Sequence, residues 1–320
     1  MKKRTIASMF SGGGGWEVGA KQAGFTPLWG IEYIPEIAAV YERNIGHAPI
    51  VMDATKIQSS DIARLPQPEV FVASPPCQAH SAARQRPGLV PRLDIDSGKA
   101  VAAVLTELRP PVVIIENVVG YRTHPTLQML IDLAGLLGYT VEKPRIVDIE
   151  QYGCPSSRRR MICRMSIGPM PPWPAKRPSA GWLAAVEDLL PTFPLDELAP
   201  WQIARLDRLD ERHQPREYPI LVSSNNVSST AFGEGKIVRV SRSRNQPAWT
   251  LVATHGAMSQ TRVVFDRSRK VVTQATPRAF ARWAGFHNSY WLPPQAALAT
   301  KVVGNAVPPA FSKVLFEAMR

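Results

Sequence analysis

Apolar stretches alternate with helix-like stretches through the first part of this 320-residue chain. The segments "TIASMF" (5–10), "TPLWGIE" (26–32), "EVFVAS" (69–74) and "VVIIENV" (112–118) each have the apolar run of a buried strand. Strands that are separated by helices pair in parallel, and such a sheet carries helices on both faces. The rhythm therefore predicts an α/β fold, in which ligands bind at the carboxyl ends of the strands.

The stretch between the third and fourth strands shows the helical pattern most clearly. "DSGKAVAAVLTELRP" (96–110) has apolar residues at helical spacing, and the helix is expected to stop before Pro110. Asp and Ser are favoured cap residues, because their side chains accept hydrogen bonds from free backbone N–H groups. We therefore predict a helix over 96–110 that is capped by Asp96 or Ser97.

Positive charge exceeds negative charge. Lys and Arg number 38 against 26 Asp and Glu, which gives a formal net charge of +12. Between Arg239 and Arg282 there are nine Lys or Arg residues and one acid, Asp266. This surplus favours polyanionic partners, nucleic acid first, although a generic basic surface has the same composition.

The cysteines and the apolar runs indicate the cellular compartment in which the protein is expected. The three cysteines (Cys77, Cys154 and Cys163) form no Cys-x-x-Cys pair, so neither a disulfide framework nor a zinc site is expected. Cys154 and Cys163 have apolar neighbours, and we expect both in the core. No apolar run approaches the length of about 20 residues that spans a bilayer. These features predict a protein of the reducing cytoplasm.

The segment "FSGGGG" (10–15) lies between the first strand and its helix. Glycines let the backbone approach a ligand closely, and a helix N-terminus favours an anion. Glu32, at the end of the second strand, is placed to accept hydrogen bonds from ribose hydroxyls. The dinucleotide pattern Gly-x-Gly-x-x-Gly requires glycine at position 17, which is Glu17. The loop therefore favours a nucleoside cofactor without a pyrophosphate, with Asp53 on its adenine; the alternative is a plain glycine turn.

The segment "ASPPCQAHSAARQRPG" (73–88) holds one cysteine, directly after two prolines. The prolines limit local motion and fix the chain just past a buried strand. A thiol becomes a good nucleophile when its pKa is lowered, for which Arg84 and Arg86 are candidates. A lone cysteine at such a place is more often structural. From this segment alone, Cys77 has both interpretations.

"IIENVVG" (114–120) places Glu116 and Asn117 directly after a buried strand. Such groups are costly to desolvate without a purpose. At one sheet edge, Glu116 and Cys77 would form the pair needed to attack an electron-poor ring and stabilise the developing charge. Glu116 could instead cap a helix or pair with an arginine.

"YGCPSSRRRMICR" (152–164) contains three consecutive arginines. In extended backbone Arg158 and Arg160 point the same way and Arg159 points oppositely. Arginines here suit a pyrimidine carbonyl or phosphates, because the guanidinium offers several donors in one plane. The alternative is a solvated basic run.

Taken together, these segments resemble the DNA (cytosine-5)-methyltransferase family of bacterial or phage type. The match runs in the family's order over nearly the whole chain. The resembling segments are "FSGGGGWEVGAKQAGF", "IEYIPEIAAVYERN", "MDAT", "SPPCQAHS", "ENV" (116–118), "YGCPSSRRR", "TPRAFARWAGF" (276–286) and "GNAVPPAFSKVL" (304–315).

The resemblance implies an architecture. It predicts a Rossmann-like, mostly parallel sheet with helices on both faces, plus a smaller irregular target-recognition domain. The catalytic, S-adenosylmethionine-binding domain would comprise 1–172 and 296–320, and the target-recognition domain 173–295. Bases would be read by a few residues in 212–245, where "SSNNVSS" is equally well explained as a loop.

The resemblance also implies a mechanism and a set of site residues. Cytosine is flipped out of duplex DNA, Cys77 adds to carbon 6, and the methyl group passes from S-adenosylmethionine to carbon 5, leaving S-adenosylhomocysteine; no metal is expected. The implied residues are catalytic (Cys77, Glu116, Arg158 and Arg160), cofactor-binding (Phe10, Ser11, Gly12, Gly14, Glu32, Tyr33, Asp53, Ala54, Pro75, Asn305 and Ala306) and DNA-binding (Gln78, Ser81, Arg84, Arg86, Arg242 and Arg244).

Three positions depart from the family's pattern. Ser156 stands where the arginine motif usually has Gln, which puts a supporting hydrogen bond in doubt. Ala279 replaces a common Glu. His80 replaces the usual aromatic residue after the nucleophile, and either contacts DNA or fills space.

The expected partner is double-stranded DNA, in a bacterial cytoplasm or nucleoid. A cognate restriction endonuclease that acts separately is a further partner, and the protein is expected to be a monomer without membrane association. The alternatives are an RNA cytosine-5 methyltransferase and a catalytically silent DNA-binding regulator. The long basic segment favours DNA over RNA, and intact Cys77, Glu116 and Arg160 argue against a silent protein.

Overall fold

The structure is a computed structural model that describes residues 4–76, 92–211, 217–222, 241–253 and 259–320. The chain forms two compact units. The first comprises Met1–Ile149, Arg159–Ala175 and Ala306–Arg320, and the second comprises Glu150–Arg158 and Lys176–Asn305. The predicted domain limits at 172/173 and 295/296 stay predictions.

The first unit is built on an eight-stranded sheet in the order β3-β2-β1-β4-β5-β8-β6, with β7 paired to β8. Strands β1 to β5 pair in parallel, whereas β6, β7 and β5 run antiparallel to β8. The strands are β1 (Thr5–Met9), β2 (Thr26–Glu32), β3 (Ile50–Val51), β4 (Val70–Ala73), β5 (Val112–Asn117), β6 (Thr140–Val141), β7 (Arg145–Asp148) and β8 (Arg159–Ser166). The expected α/β fold with a mostly parallel sheet is confirmed.

The helices are numbered along the chain through both units. They are α1 (Gly15–Gln22), α2 (Pro35–Ile45), α3 (Ser59–Ile62), α4 (Arg92–Glu107), α5 (Pro125–Leu136), α6 (Pro200–Glu211), α7 (Pro277–Trp283), α8 (Ala296–Asn305) and α9 (Pro309–Glu317). No helix within the described ranges has the length and apolarity needed to cross a membrane.

Helices lie on both faces of the main sheet. On one face, Phe71 of β4 and Ile115 of β5 join a buried apolar cluster that includes residues of α4 and α5. On the other face, Ser8 of β1 contacts Glu17 of α1, and α1 packs along α9. Because successive strand residues point to opposite faces, a continuous apolar run can supply both layers.

The second unit contains a four-stranded antiparallel sheet in the order β10-β9-β11-β12. Its strands are short: β9 (Ile220–Val222), β10 (Ser241–Ser243), β11 (Arg262–Val264) and β12 (Val272–Gln274). A buried apolar cluster joins this sheet to Leu206 of α6.

The prediction that Asp96 or Ser97 caps a helix is wrong. Helix α4 begins at Arg92 and contains both residues. Asp96 forms ion pairs along the helix with Arg92 (3.4 Å) and Lys99 (3.5 Å), and Ser97 is fully buried. Polar residues that suit a cap also suit the first turns of a helix when their partners lie one turn away.

Leu130 and Leu136 on α5 allow a test of the core. Leu130 is fully buried in the cluster beneath the sheet, whereas Leu136 is 87% exposed. We expect Leu130→Ala to lower the free energy of unfolding by about 2–5 kcal/mol, since it leaves a cavity. Leu136→Ala should change it by less than about 0.5 kcal/mol. Urea denaturation measures both, and equal effects would contradict the assigned core.

Candidate active site

The carboxyl ends of β1, β2, β4 and β5 meet at one edge of the main sheet, because these strands are parallel. Polar residues follow each of them. They are the loop from Phe10 to Gly14 after β1, Glu32 at the end of β2, Ser74 after β4, and Glu116 with Asn117 at the end of β5. Glu32 is the last residue of β2, as expected. Glu116 and Asn117 were expected directly after their strand and are instead the last two residues of β5, at the expected edge of the sheet.

The loop after β1 has an unusual backbone. Gly12 and Gly14 have φ angles of 56° and 84°, and the non-glycine Phe10 has a φ of 61°. Left-handed backbone at a residue with a large side chain is strained and persists only where its surroundings enforce it. The backbone N–H of Ser11 donates to the carbonyl of Ile31 (3.0 Å), which anchors the loop on β2.

Glu32 at the end of β2 also anchors the loop after β1. Its carboxylate accepts hydrogen bonds from the backbone N–H groups of Gly12 (2.8 Å) and Ile34 (2.9 Å), and the residue is buried. Each carboxylate oxygen can accept a second bond, so these contacts are compatible with the predicted ribose contact. Tyr33, the next residue, is 67% exposed.

Asp53 lies in the turn after β3. The Thr55 hydroxyl (2.7 Å) and backbone N–H (3.0 Å) donate to its carboxylate and lower the pKa of Asp53. The carboxylate is therefore ionised and able to accept a hydrogen bond from an amino group. Ala54, the next residue, is buried.

The C-terminal segment approaches the start of α1. A Cβ atom at Gly15 would lie 2.4 Å from the carbonyl oxygen of Val307 and 3.2 Å from Cβ of Ala306. Only glycine permits this approach, which places Ala306 beside the loop. Asn305 is the exposed last residue of α8 and belongs to the second unit.

The chain is held from two sides just before Cys77. The Asn117 side-chain amide donates to the carbonyl of Pro75 (2.8 Å), and the Trp16 indole donates to the Ser74 hydroxyl (3.2 Å). Pro75 is buried. The backbone that leads to Cys77 is thus fixed at the sheet edge. Cys77 itself and the predicted residues that follow it lie outside the described residues (Gln78, His80, Ser81, Arg84 and Arg86).

Arg160 and Glu116 form an ion pair at this edge. Arg160 Nε lies 3.0 Å from Glu116 Oε1, and the two side chains are 15% and 8% exposed. Burial lowers the pKa of Arg160 and the Glu116 carboxylate opposes that shift, so the guanidinium remains charged. The pairing follows from topology: β8 runs antiparallel to β5, and so begins where β5 ends.

The three arginines have three different environments. Arg159 pairs with Asp148 of β7 (3.0 Å) and is mostly exposed, so it points away from Arg160, as predicted. Arg158 is buried in the second unit, where its guanidinium donates to the carbonyls of Leu251 and Gly304 (3.1 Å each). These contacts suit a supporting residue. The catalytic role predicted for Arg158 stays a prediction.

The other two cysteines are core residues, as expected. Cys154 and Cys163 are fully buried, and burial raises the pKa of Cys163 to about 12. Ser156, one of the departures from the family's pattern, lies with its hydroxyl 3.7 Å from Cys154 Sγ and is buried. Ser156 therefore packs inside the second unit.

Arg242 and Arg244 belong to the short sheet of the second unit or follow it. The Arg242 guanidinium lies 5.6 Å from the centre of the Trp249 ring, and Arg244 pairs with Glu217 (3.3 Å) with both side chains about half exposed. Their predicted DNA contacts stay predictions.

In the part of the chain that is described, no three His, Cys, Asp or Glu side chains form a group that could hold a metal ion.

Glu17 is a polar residue whose buried environment was not predicted from the sequence. It is fully buried in α1, where burial raises its pKa to about 7, partly offset by a hydrogen bond from Ser8. In the sequence it counted only as the residue that breaks a glycine pattern. The available signal was its position among small residues, Gly15, Gly19 and Ala20, which let α1 be covered on several sides.

The raised pKa of Glu17 makes stability depend on pH. The pKa of this carboxyl is 4.5 in the unfolded chain, so the folded protein binds the Glu17 proton more tightly. Stability is therefore lost as pH rises from about 4.5 to about 7. We expect the free energy of unfolding of the wild type, relative to Glu17→Gln, to fall by about 2–3 kcal/mol between pH 5 and pH 8. Glu36→Gln, at an exposed position of α2, is the control. The free energy of unfolding of the wild type relative to Glu36→Gln should not change in this way with pH. Urea denaturation at several pH values tests this, and a constant difference for Glu17→Gln would contradict it.

Comparison with known proteins places these features in a family. The C-5 cytosine-specific DNA methylase family matches residues 4–320. The chain is 28% identical to the Type II methyltransferase M.HpaII of Haemophilus parainfluenzae, over 96% of this chain and 86% of the relative. It is 25% identical to the Type II methyltransferase M.DsaV of Dactylococcopsis salina, over 99% and 86%.

A solved structure supports the fold. The crystal structure of a DNMT2 variant from Spodoptera frugiperda superposes with a TM-score of 0.69 at 16% identity, over 99% of this chain and 100% of that one. The family match covers the main sheet, the loop after β1, the segment that holds Cys77 and the Glu116–Arg160 pair. The chain belongs to the C-5 cytosine-specific DNA methylase family.

Proposed function

We propose that this enzyme methylates carbon 5 of cytosine in double-stranded DNA by covalent catalysis from Cys77. The Glu116–Arg160 pair is the observation that carries the proposal, since it places a carboxylate and a guanidinium together at the sheet edge. The Asn117–Pro75 hydrogen bond supports it, because it fixes the backbone two residues before the nucleophile at that same edge.

The chemistry requires the cytosine to leave the stack, since carbons 5 and 6 are covered in a duplex. The Cys77 thiolate adds to carbon 6 and makes carbon 5 nucleophilic. Glu116 accepts a hydrogen bond from the exocyclic amine. In its protonated form it donates to the ring nitrogen, which has no hydrogen of its own, and so stabilises the electron-rich ring. Arg160 donates to the base carbonyl. After carbon 5 gains the methyl group, loss of its proton and elimination of Cys77 restore the ring double bond.

The residues at the edge fit S-adenosylmethionine, which the family implies and which supplies an electrophilic methyl group when bound. Glu32 and Asp53 offer carboxylate oxygens to ribose hydroxyls and to the adenine amine, and Tyr33 offers an exposed ring. The strained loop at Phe10 and Gly12 presents backbone groups to the rest of the cofactor. S-adenosylhomocysteine would be the product.

The wider assignments are also proposals. Residues 1–172 and 296–320 would carry catalysis, and 173–295 would recognise the target, with Arg242 and Arg244 on phosphates. Two relatives named Type II methyltransferases support a restriction–modification role beside a separate endonuclease.

Cys77→Ala tests the covalent step. We expect the wild type, with S-adenosylmethionine, to form a denaturant-resistant adduct with duplex DNA that contains 5-fluorocytosine, because fluorine cannot leave carbon 5 as a proton does. Cys77→Ala should form none while retaining DNA binding in a gel-shift assay. A wild type that binds DNA without forming an adduct would favour the silent regulator. Preferential methylation of transfer RNA in competition with duplex DNA would favour the RNA enzyme.

Arg160 and Arg159 give a matched pair, since each variant removes one positive charge from the same run. Arg160→Ala leaves Glu116 buried without its guanidinium, and we expect the single-turnover rate to fall by about 10²-fold or more. Arg159→Ala removes a largely exposed pair with Asp148 and should change that rate by less than about threefold. Equal losses in the two variants would contradict the role of Arg160.

A further inference from the structure

Glu17 lies directly beneath the loop that we assign to the cofactor, and the proposed chemistry gives it no task. Its carboxyl group is buried between β1 and α2 with Ser8 and Tyr41, and all three residues are fully buried. Burial and the Glu17 carboxyl raise the pKa of Tyr41 above its usual value. Among the described residues no cation pairs with the Glu17 carboxyl. A buried carboxyl without such a partner is costly, so its presence here calls for a specific reason.

A chain of hydrogen bonds leads from Glu17 to the loop. The Ser8 hydroxyl donates to Glu17 Oε1, and Ser8 Oγ lies 2.7 Å from Ser11 Oγ. Ser11 Oγ also lies 3.1 Å from the carbonyl of Ile31. A hydroxyl has one proton, so when Ser8 gives its proton to Glu17, Ser8 Oγ is left as an acceptor for the Ser11 hydroxyl. The single Ser11 proton is shared between Ser8 Oγ and the carbonyl of Ile31. By keeping Ser8 Oγ an acceptor, Glu17 supports the orientation in which the Ser11 side chain is bonded to Ser8.

The packing leaves little room for another arrangement. A Cβ atom at Gly30 of β2 would lie 2.7 Å from Ser11 Oγ and 2.9 Å from Tyr41 Oη. Ser11 directly follows Phe10, whose φ is 61°, and precedes Gly12, whose φ is 56°. Strained backbone persists only where neighbouring contacts over-determine it, and directional hydrogen bonds do this better than apolar contacts.

We infer that Glu17 is a positioning residue for S-adenosylmethionine: through Ser8 it holds Ser11, and so keeps the left-handed turn from Phe10 to Gly12 in its ligand-binding shape. This inference rests on the proposed use of that cofactor at this loop. It assigns to Glu17 an effect on cofactor affinity, and to the Ser8 hydroxyl the task of transmitting it.

Binding of S-adenosylhomocysteine, measured by titration calorimetry without DNA, tests the inference. We expect Glu17→Ala and Ser8→Ala each to weaken binding about tenfold, as loss of a hydrogen bond to a charged group does. Glu17→Gln keeps an acceptor for Ser8 and should restore the affinity to within about threefold of the wild type. In methylation assays the KM for S-adenosylmethionine should rise in the two alanine variants with little change in kcat.

Leu130→Ala is the control for stability alone, since Leu130 packs on the other face of the sheet. It should lower stability and leave the affinity unchanged. If Glu17→Ala does not fold, Ser8→Ala, which removes one oxygen, decides the matter. Unchanged affinity in the folded alanine variants, or equal weakening in Leu130→Ala, would overturn the inference alone. A folded wild type that binds neither S-adenosylmethionine nor its product would overturn the proposed function as well.

Discussion

The antiparallel pairing of β8 with β5 is the constraint on which the candidate site depends. The register sets Glu116 opposite Ile162 and Asn117 opposite Met161. Arg160, two residues before Ile162, therefore reaches the sheet edge with its side chain beside Glu116. A slip of one residue would turn every side chain of β8 to the opposite face, and Arg159, which pairs with Asp148, shows where such a side chain goes.

The parallel part of the fold could be predicted because its strands are buried on both faces. Such strands appear in the sequence as continuous apolar runs, and the helices between them force a parallel order. The antiparallel strands β6, β7 and β8 could not be predicted in the same way, since an apolar run carries no information on strand direction. The prediction of where α4 begins was wrong because of a tertiary contact. Asp94, before the predicted cap, is fully buried, 3.5 Å from His124, and only tertiary structure shows a buried acid with its partner.

The candidate site likewise has residues whose position could be predicted from the sequence and residues whose position could not. Glu32 and Glu116 follow predictable strands, so their place at the edge could be inferred before any coordinates. The different environments of Arg158 and Arg160 could not be inferred in this way. In extended backbone two residues that are two positions apart point to the same side, so the sequence predicts one direction for both. Arg158 donates to carbonyls 93 and 146 residues away, and contacts of that range leave no local pattern. The resemblance to a family orders the motifs along the chain, but it does not specify these partners.

Two buried carboxyl groups in the first unit show how one fold can use the same side chain differently. Glu116 faces the guanidinium of Arg160, a pair that is expensive to desolvate and adds little stability on balance. Its position at the sheet edge is consistent with the catalytic role that we propose for it. Glu17 has the Ser8 hydroxyl as its partner instead. Its pKa of about 7 reflects burial, with no cation beside it among the residues that the structure describes. In our inference, the buried Glu17 carboxyl acts through its hydrogen bond to Ser8 and supplies no charge to the reaction. The strained loop from Phe10 to Gly12 requires such an oriented hydrogen bond to keep its shape.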